Sequence, residues 1–347
     1  MIKRFWHNKA AAAAFFVLAF LILMAVFAPS FTPYSYREQV KNADGEILSN
    51  MPPKIPALRF LGIAQGTAVL EDRQTAFLDD PARYPEGCIL EVRNRRVTER
   101  GTEYCDVLVD YYKYMKAEEG TAFWFGTDQL GRDIWTRLWR GTRVSLVIAL
   151  FAVAIDMVIG VSWGAVCGYY GGKTDLIGMR VCEVIHAIPN VILCTMFILL
   201  LGRGIGTMIL ALAVRNWVET ARLARAQFLR YKEREFVVSA RAMGVRDRRL
   251  IFRHILPNAM GPLIISATLA VPGAIFMESF LSFIGLGIPA PEPSVGTMLS
   301  DAQSMLQTYP HQVLLPAVVI ALLMIAFHLL SNGLRDAFDP KEEDSEE

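Results

Sequence analysis

Residues 235–258 read EFVVSARAMGVRDRRLIFRHILPN. A helix-forming block ends at Gly244 and a second begins at Val245, lined by Arg246, Arg248, Arg249 and Arg253. Pro257 then opens a long apolar run. Ten Lys/Arg fall between Arg222 and Arg253, many more than membrane insertion alone requires. Short segments this rich in positive charge stay on the cytoplasmic side of a bilayer. Two short helices with a glycine joint are shaped to dock on a partner. The candidate contact residues are Val238, Ser239 and Ala240 before the joint, then Gly244, Val245, Arg246, Arg248 and Arg249.

The rest of the chain places this loop in a membrane protein. Its 347 residues are 53% hydrophobic with a mean hydropathy of +0.33, too apolar for an ordinary soluble domain. A net charge of +1 gives no sign of a nucleic-acid partner. The five cysteines contain no CxxC pair, so no metal site is expected. Cys167, Cys182 and Cys194 sit in apolar runs, where a free thiol acts as a small hydrophobe. The last seven residues, KEEDSEE, hold five acids and read as a solvated end.

Crossing the hydrocarbon takes about 20 apolar residues in a helix. Six runs qualify or nearly so: Ala10–Ala28, Val144–Cys167, Met179–Leu201, Met208–Ala226, Pro257–Ile284 and Val313–Leu330. The first reads as a retained anchor, because no good signal-peptidase site follows it. The third and fourth are weaker, carrying Glu183, His186, Arg215 and Glu219. Lys3, Arg4 and Lys9 place the N-terminus inside, and six spans then put 168–178, 227–256 and the C-terminus inside too. Segment 285–312 falls outside and contains no Lys or Arg, as the rule expects. The domain reading follows: 1–28, N-terminus and first span; 29–141, extracytoplasmic insertion and linker; 142–332, transmembrane core; 333–347, acidic cytoplasmic tail. The fold class is an all-α polytopic membrane protein with a small mixed α/β insertion between helices 1 and 2.

Within the insertion, Ile89–Val92 and Tyr104–Val109 read as strands around a charged turn near Thr98–Gly101. Cys88 and Cys105 are the two cysteines outside the membrane, on the side where disulfides persist, and are candidates to pair.

Two catalytic-looking patterns dissolve on context. Gly160-Val-Ser-Trp-Gly164 fits the nucleophile elbow, which needs a strand–turn–helix setting and here lies inside a helix-length apolar run. With Gly168 it makes a small-residue ridge for close helix packing. Residues 167–174, CGYYGGKT, miss the phosphate-binding loop by one glycine and lack a preceding strand. The chain is therefore read as having no ATPase site, no catalytic residue and no bound cofactor of its own. Ionisable residues inside spans are expensive and often functional; Glu183, His186 and Glu278 are candidates for pathway or structural charge. Glu278 falls near the outer face, and Arg215 and Glu219, four apart, are placed to neutralise each other. Pro189, Pro272 and Pro316 are expected to kink or break their helices.

From Phe125 to Pro340 the chain resembles the peptide-permease branch of ABC importers. The resemblance is carried by FGTDQLGRD (125–133), GTRVSL (141–146), GYYGG (168–172), the loop ending in HILPN, ESFLSFIGLG (278–287) and GLRDAFDP (333–340). The insertion, with MPPKIPALRFLGI, is similar to that of oligopeptide permease "C" subunits. The resemblance implies a type I permease fold with six transmembrane helices in a bacterial cell membrane. It implies as partners a homologous "B" permease, two cytoplasmic ATPases that bind ATP and Mg, and an extracytoplasmic peptide-binding protein. The family's coupling motif, E-A-A, three residues, then G, falls on Val238, Ser239, Ala240 and Gly244, so the usual glutamate and first alanine are replaced here. Other solutes of the same family, nickel or a glycoside, are the alternative cargo. A secondary transporter would need internal repeats, and none is visible. An intramembrane protease would rest on Ser162 and His186, and a receptor-like protein on the insertion.

Overall fold

The computed structural model describes residues 2–57, 63–98 and 101–338. The acidic end from 339 onward, residues 99 and 100 of the charged turn, and the side chains of Lys3 and Arg4 lie outside the described residues. The chain opens with α1 (Ile2–His7) and α2 (Lys9–Phe27). Asn8 separates them, its side-chain oxygen accepting from Ala10 N at 3.1 Å and Ala11 N at 3.2 Å. Beyond the insertion come α4 (Ile134–Tyr170), α5 (Gly172–Ala187), α6 (Asn190–Leu201), α7 (Ile205–Lys232), α8 (Glu235–Ala242), α9 (Asp247–Arg249), α10 (Leu256–Leu281), α11 (Val295–Ala302) and α12 (Pro310–Phe338).

Each of the six expected spans coincides with helix, but not equally. Among the described residues four helical runs are long and apolar enough to cross a membrane, Lys9–Ser30, Ile134–Tyr170, Asp247–Leu286 and Pro310–Phe338. The expected third span is two helices, α5 and α6, bent by 83° where Pro189 removes a backbone donor. The fourth, α7, is continuous helix, and its charges keep it off that apolar set. α10 and α12 run on through Pro272 and Pro316 without a break.

One apolar core joins α2, α4, α10 and α12 through Leu18, Leu138, Val153, Ile275 and Leu323. A second seam joins α4 to α7, which run parallel. A Cβ on Gly160 would stand 2.6 Å from Thr220 Cβ, one on Gly164 2.8 Å from Ala224 Cβ, and one on Gly168 2.8 Å from Phe228 Cβ. Real side chains do not approach so closely, so glycine at these three positions sets the helix separation.

The insertion holds three strands, β1 (Thr67–Gln74), β2 (Ile89–Val97) and β3 (Glu103–Asp110), then the short α3 (Tyr111–Tyr114). The order is β1-β3-β2, antiparallel throughout. Both expected strands are present, with β1 added as a third. The disulfide candidate is corrected: Cys88 and Cys105 are free, buried thiols. Register is the reason. Asp110 N donates to Cys88 O, so Cys88 lies opposite residue 110, five positions along β3 from Cys105. That is about 16 Å at strand rise, well beyond the Cα separation a disulfide bridges. Burial raises the Cys88 thiol above its ordinary pKa.

Candidate functional site

The loop around Gly244 folds as a seat with two sides. Val237 and Ala240 of α8 turn inward with Leu250, Ile251 and Ile255, and pack on Ala165, Tyr169 and Phe228. α8 ends in a paired-bond glycine cap: Gly244 N donates to Arg241 O at 3.0 Å and Val245 N to Ala240 O at 3.2 Å. Gly244 has φ +79°, the left-handed region that such a cap requires, and a Cβ there would meet nothing within 4 Å. The glycine is needed for its backbone, not for space.

The second block is not a free-standing helix, as the sequence suggested. Asp247–Arg249 passes through a π-helical turn, Leu250–Ile255, directly into α10. The segment after Gly244 is therefore joined to α10 by unbroken helix. The segment is fastened to α4: Tyr169 Oη donates to Asp247 Oδ1 at 2.6 Å, and the Arg241 guanidinium lies 5.4 Å above the Tyr169 ring. Lys232 Nζ donates to Gly168 O at 3.2 Å, at the carbonyl end of α4. These fastenings were not legible in the sequence, because Tyr169 and Asp247 are 78 residues apart. On the outward side Val238, Ser239, Met243, Arg246, Arg248, Arg249, Phe252 and Arg253 are exposed. The result is a basic surface with apolar side chains set among the charges.

The candidate membrane charges do not gather into one site. Glu183 is exposed and pairs with Arg180 at 2.6 Å. Arg215 and Glu219 do not pair; Arg215 Nη2 turns to His186, 3.4 Å from both its carbonyl oxygen and Nδ1. Glu278 is fully buried, accepting from Ser145 Oγ at 2.8 Å and Ser282 Oγ at 2.9 Å. Ser145 Oγ also accepts from Val295 N, so this carboxylate organises the packing of α4, α10 and the start of α11. Ser162 lies within α4, about two turns before its end, and makes no hydrogen bond to His186 among the described residues.

At the start of α4 the FGTDQLGRD stretch is a knot tying the insertion to that helix. Thr127 Oγ1 donates to Leu48 O at 2.6 Å and accepts from Met51 N at 2.9 Å, while Asp133 caps α4 by accepting from Thr136 N. Arg132 Nε meets Asp128 at 2.7 Å, and Arg132 and Arg137 both face Asp301 of α11, at 3.7 and 3.6 Å. Nearby, Glu292 takes Tyr36 Oη at 2.7 Å and Arg140 Nε at 3.2 Å. Burial alone would raise the Glu292 pKa, but the hydrogen bonds from Arg140, Tyr36 and Arg37 outweigh it and hold the carboxyl below its ordinary value.

Comparison with known proteins accords with this arrangement. Residues 1–53 match the "N-terminal TM domain of oligopeptide transport permease C". The chain is 44% identical over 218 residues to an oligopeptide transport system permease protein OppC of Bacillus subtilis, covering 63% of this chain and 72% of the relative. It is 33% identical over 339 residues to a dipeptide transport system permease protein DppC of Lactococcus lactis, covering 98% and 89%. An OppC of Haemophilus influenzae is 32% identical over 340 residues, covering 98% and 87%. The last two matches run through the insertion as well as the helices. Residues 160–344, from the last third of α4 through the loop at Gly244 and α11, match the family model for the "binding-protein-dependent transport system inner membrane component", and the chain belongs to that family.

Proposed function

We propose that this permease subunit forms half of a translocation path for oligopeptides or dipeptides, and that the surface around Gly244 couples it to cytoplasmic ATPases. The observation that carries the coupling is the two-sided loop: an apolar face seated on α4, a basic face left open, and unbroken helix from the second block into α10. ATPase closure would press on the exposed residues, and the π turn would transmit the displacement to the bundle. Such coupling requires contacts that differ between the two states of the transporter. The peptide cargo is supported by the names of the relatives that match along nearly the whole chain.

In this reading the remaining partners are a homologous second permease and an extracytoplasmic binding protein. ATP and Mg are bound by the ATPases. Both termini and the Gly244 loop are cytoplasmic, and the insertion and α11 lie outside.

The test is co-purification from membranes with a tag on this chain. ATPase subunits should come with it, and changing Arg246, Arg248 and Arg249 together to Gln should weaken that association in a salt-sensitive way. Salt-insensitive association in the triple variant would assign these arginines to the lipid surface instead. Labelling of Arg248→Cys in intact cells by an impermeant reagent would overturn the topology.

A further inference from the structure

We propose that the exposed face of α7 lines a water-filled path, and that its charges of alternating sign, Arg215, Glu219 and Arg222, bind the charged groups of a zwitterionic substrate. The ligand class rests on the peptide reading above; the solvent-lined face does not. α7 contacts α4, α6 and α10, so it belongs to the membrane bundle, yet its charges exclude it from the apolar spans. Counted from Ile205, the three residues lie about 15, 21 and 26 Å along the helix, within a hydrocarbon layer about 30 Å thick.

They recur at i, i+4 and i+7, which is one face of a helix. The opposite side is spent on packing: Trp217, Ala221, Ala224 and Phe228 are buried. Glu219 and Arg222 are exposed and Arg215 is half-buried. None of the three enters an ion pair among the described residues; the pairs in this region are Arg180–Glu183 and Arg225–Asp175. Unpaired charges at such depth do not face hydrocarbon.

The neighbouring wall has the same character. Arg215 Nη2 donates to the carbonyl of His186, in the last turn of α5 just before the 83° bend, and Arg215 Nε is buried with no partner. Broken helix at membrane depth is tolerated where it is covered by protein or lines water. A cation–anion–cation series suits a solute carrying both an ammonium and a carboxylate, which an apolar or singly charged solute would not match. A second permease subunit seated directly on this face is the competing occupant.

The assembled importer, reconstituted in lipid vesicles, decides between them. The five native cysteines are buried, so background labelling is low. Glu219→Cys and Arg222→Cys should react with a charged methanethiosulfonate reagent at least about tenfold faster than Leu210→Cys and Leu200→Cys. Leu210 and Leu200 are exposed apolar positions away from this face. Added peptide should slow the first pair alone. Reaction no faster than at the leucine positions would mean that lipid or the second subunit covers the face, and the path assignment falls. This readout needs no transport, so it decides the path even if the peptide reading fails. For the ligand, Glu219→Gln should raise KM about tenfold more for a peptide with a free amino terminus than for its N-acetylated form. Equal changes would overturn the assignment of Glu219 to an ammonium group.

Discussion

Ser145 on α4 donates its hydroxyl to the Glu278 carboxylate of α10 at 2.8 Å, and the same hydroxyl oxygen accepts from Val295 N at the start of α11. Three helices therefore meet on one buried side chain. Glu278→Ala leaves the Ser145 and Ser282 hydroxyls without their acceptor, at a cost of about 1–3 kcal/mol for each unsatisfied group. Thermal unfolding of the detergent-solubilised complex should show a lowered midpoint, and Glu278→Gln, which keeps an acceptor oxygen, should lose less. Equal losses in the two variants would show that the serine contacts are incidental.

The glycine seam gives a steric prediction. Gly168→Val places side-chain atoms where Phe228 Cβ and the Arg225 carbonyl oxygen already stand, each 2.8 Å from a Cβ at this position. α4 and α7 must separate, at a cost of about 1–3 kcal/mol or more. Fluorescence-detected size exclusion should show reduced assembled protein. A larger residue at Gly273, where a Cβ meets nothing within 4 Å, should be tolerated.

Gly244 differs in kind, because its constraint is conformational. Gly244→Val should cost about 1–2 kcal/mol of left-handed backbone strain with no steric clash, leaving the chain inserted but impairing ATP-driven uptake. Gly244→Asn, a side chain that tolerates this region, should retain most uptake. Equal impairment by Val and Asn would mean that a side chain at this position obstructs docking.

Glu292 predicts acid sensitivity where the insertion meets α4 and α11. Its pKa is depressed in the folded state, so its contribution is complete above the ordinary glutamate value of about 4.3. It is lost as pH falls through the lower, folded value. Hydrogen-exchange protection of the bonded amides nearest this contact, Val40 and Ser294–Thr297, should fall below about pH 4 in the native chain. Glu292→Gln should show the lowered protection already at neutral pH and lose the acid-dependent increment.

The sequence by itself determined the family, the six helical stretches, the glycine joint and the small-residue ridge. These are local signals: apolar run length, basic loops, and a glycine where a helix must end. Pro189 marked the break between α5 and α6, because a missing backbone donor is written in one residue. Tertiary structure alone decided the rest. Cys88 and Cys105 looked paired until strand register placed them apart, and that register is set by the pairing of β2 with β3, whose irregularities at Ile89/Glu91 and Arg93/Arg96 no local signal marks. Arg215 looked matched to Glu219 by helical spacing, yet it reaches His186 across to α5. Spacing along a helix fixes which residues share a face. What that face meets is set by neighbours far away in the chain.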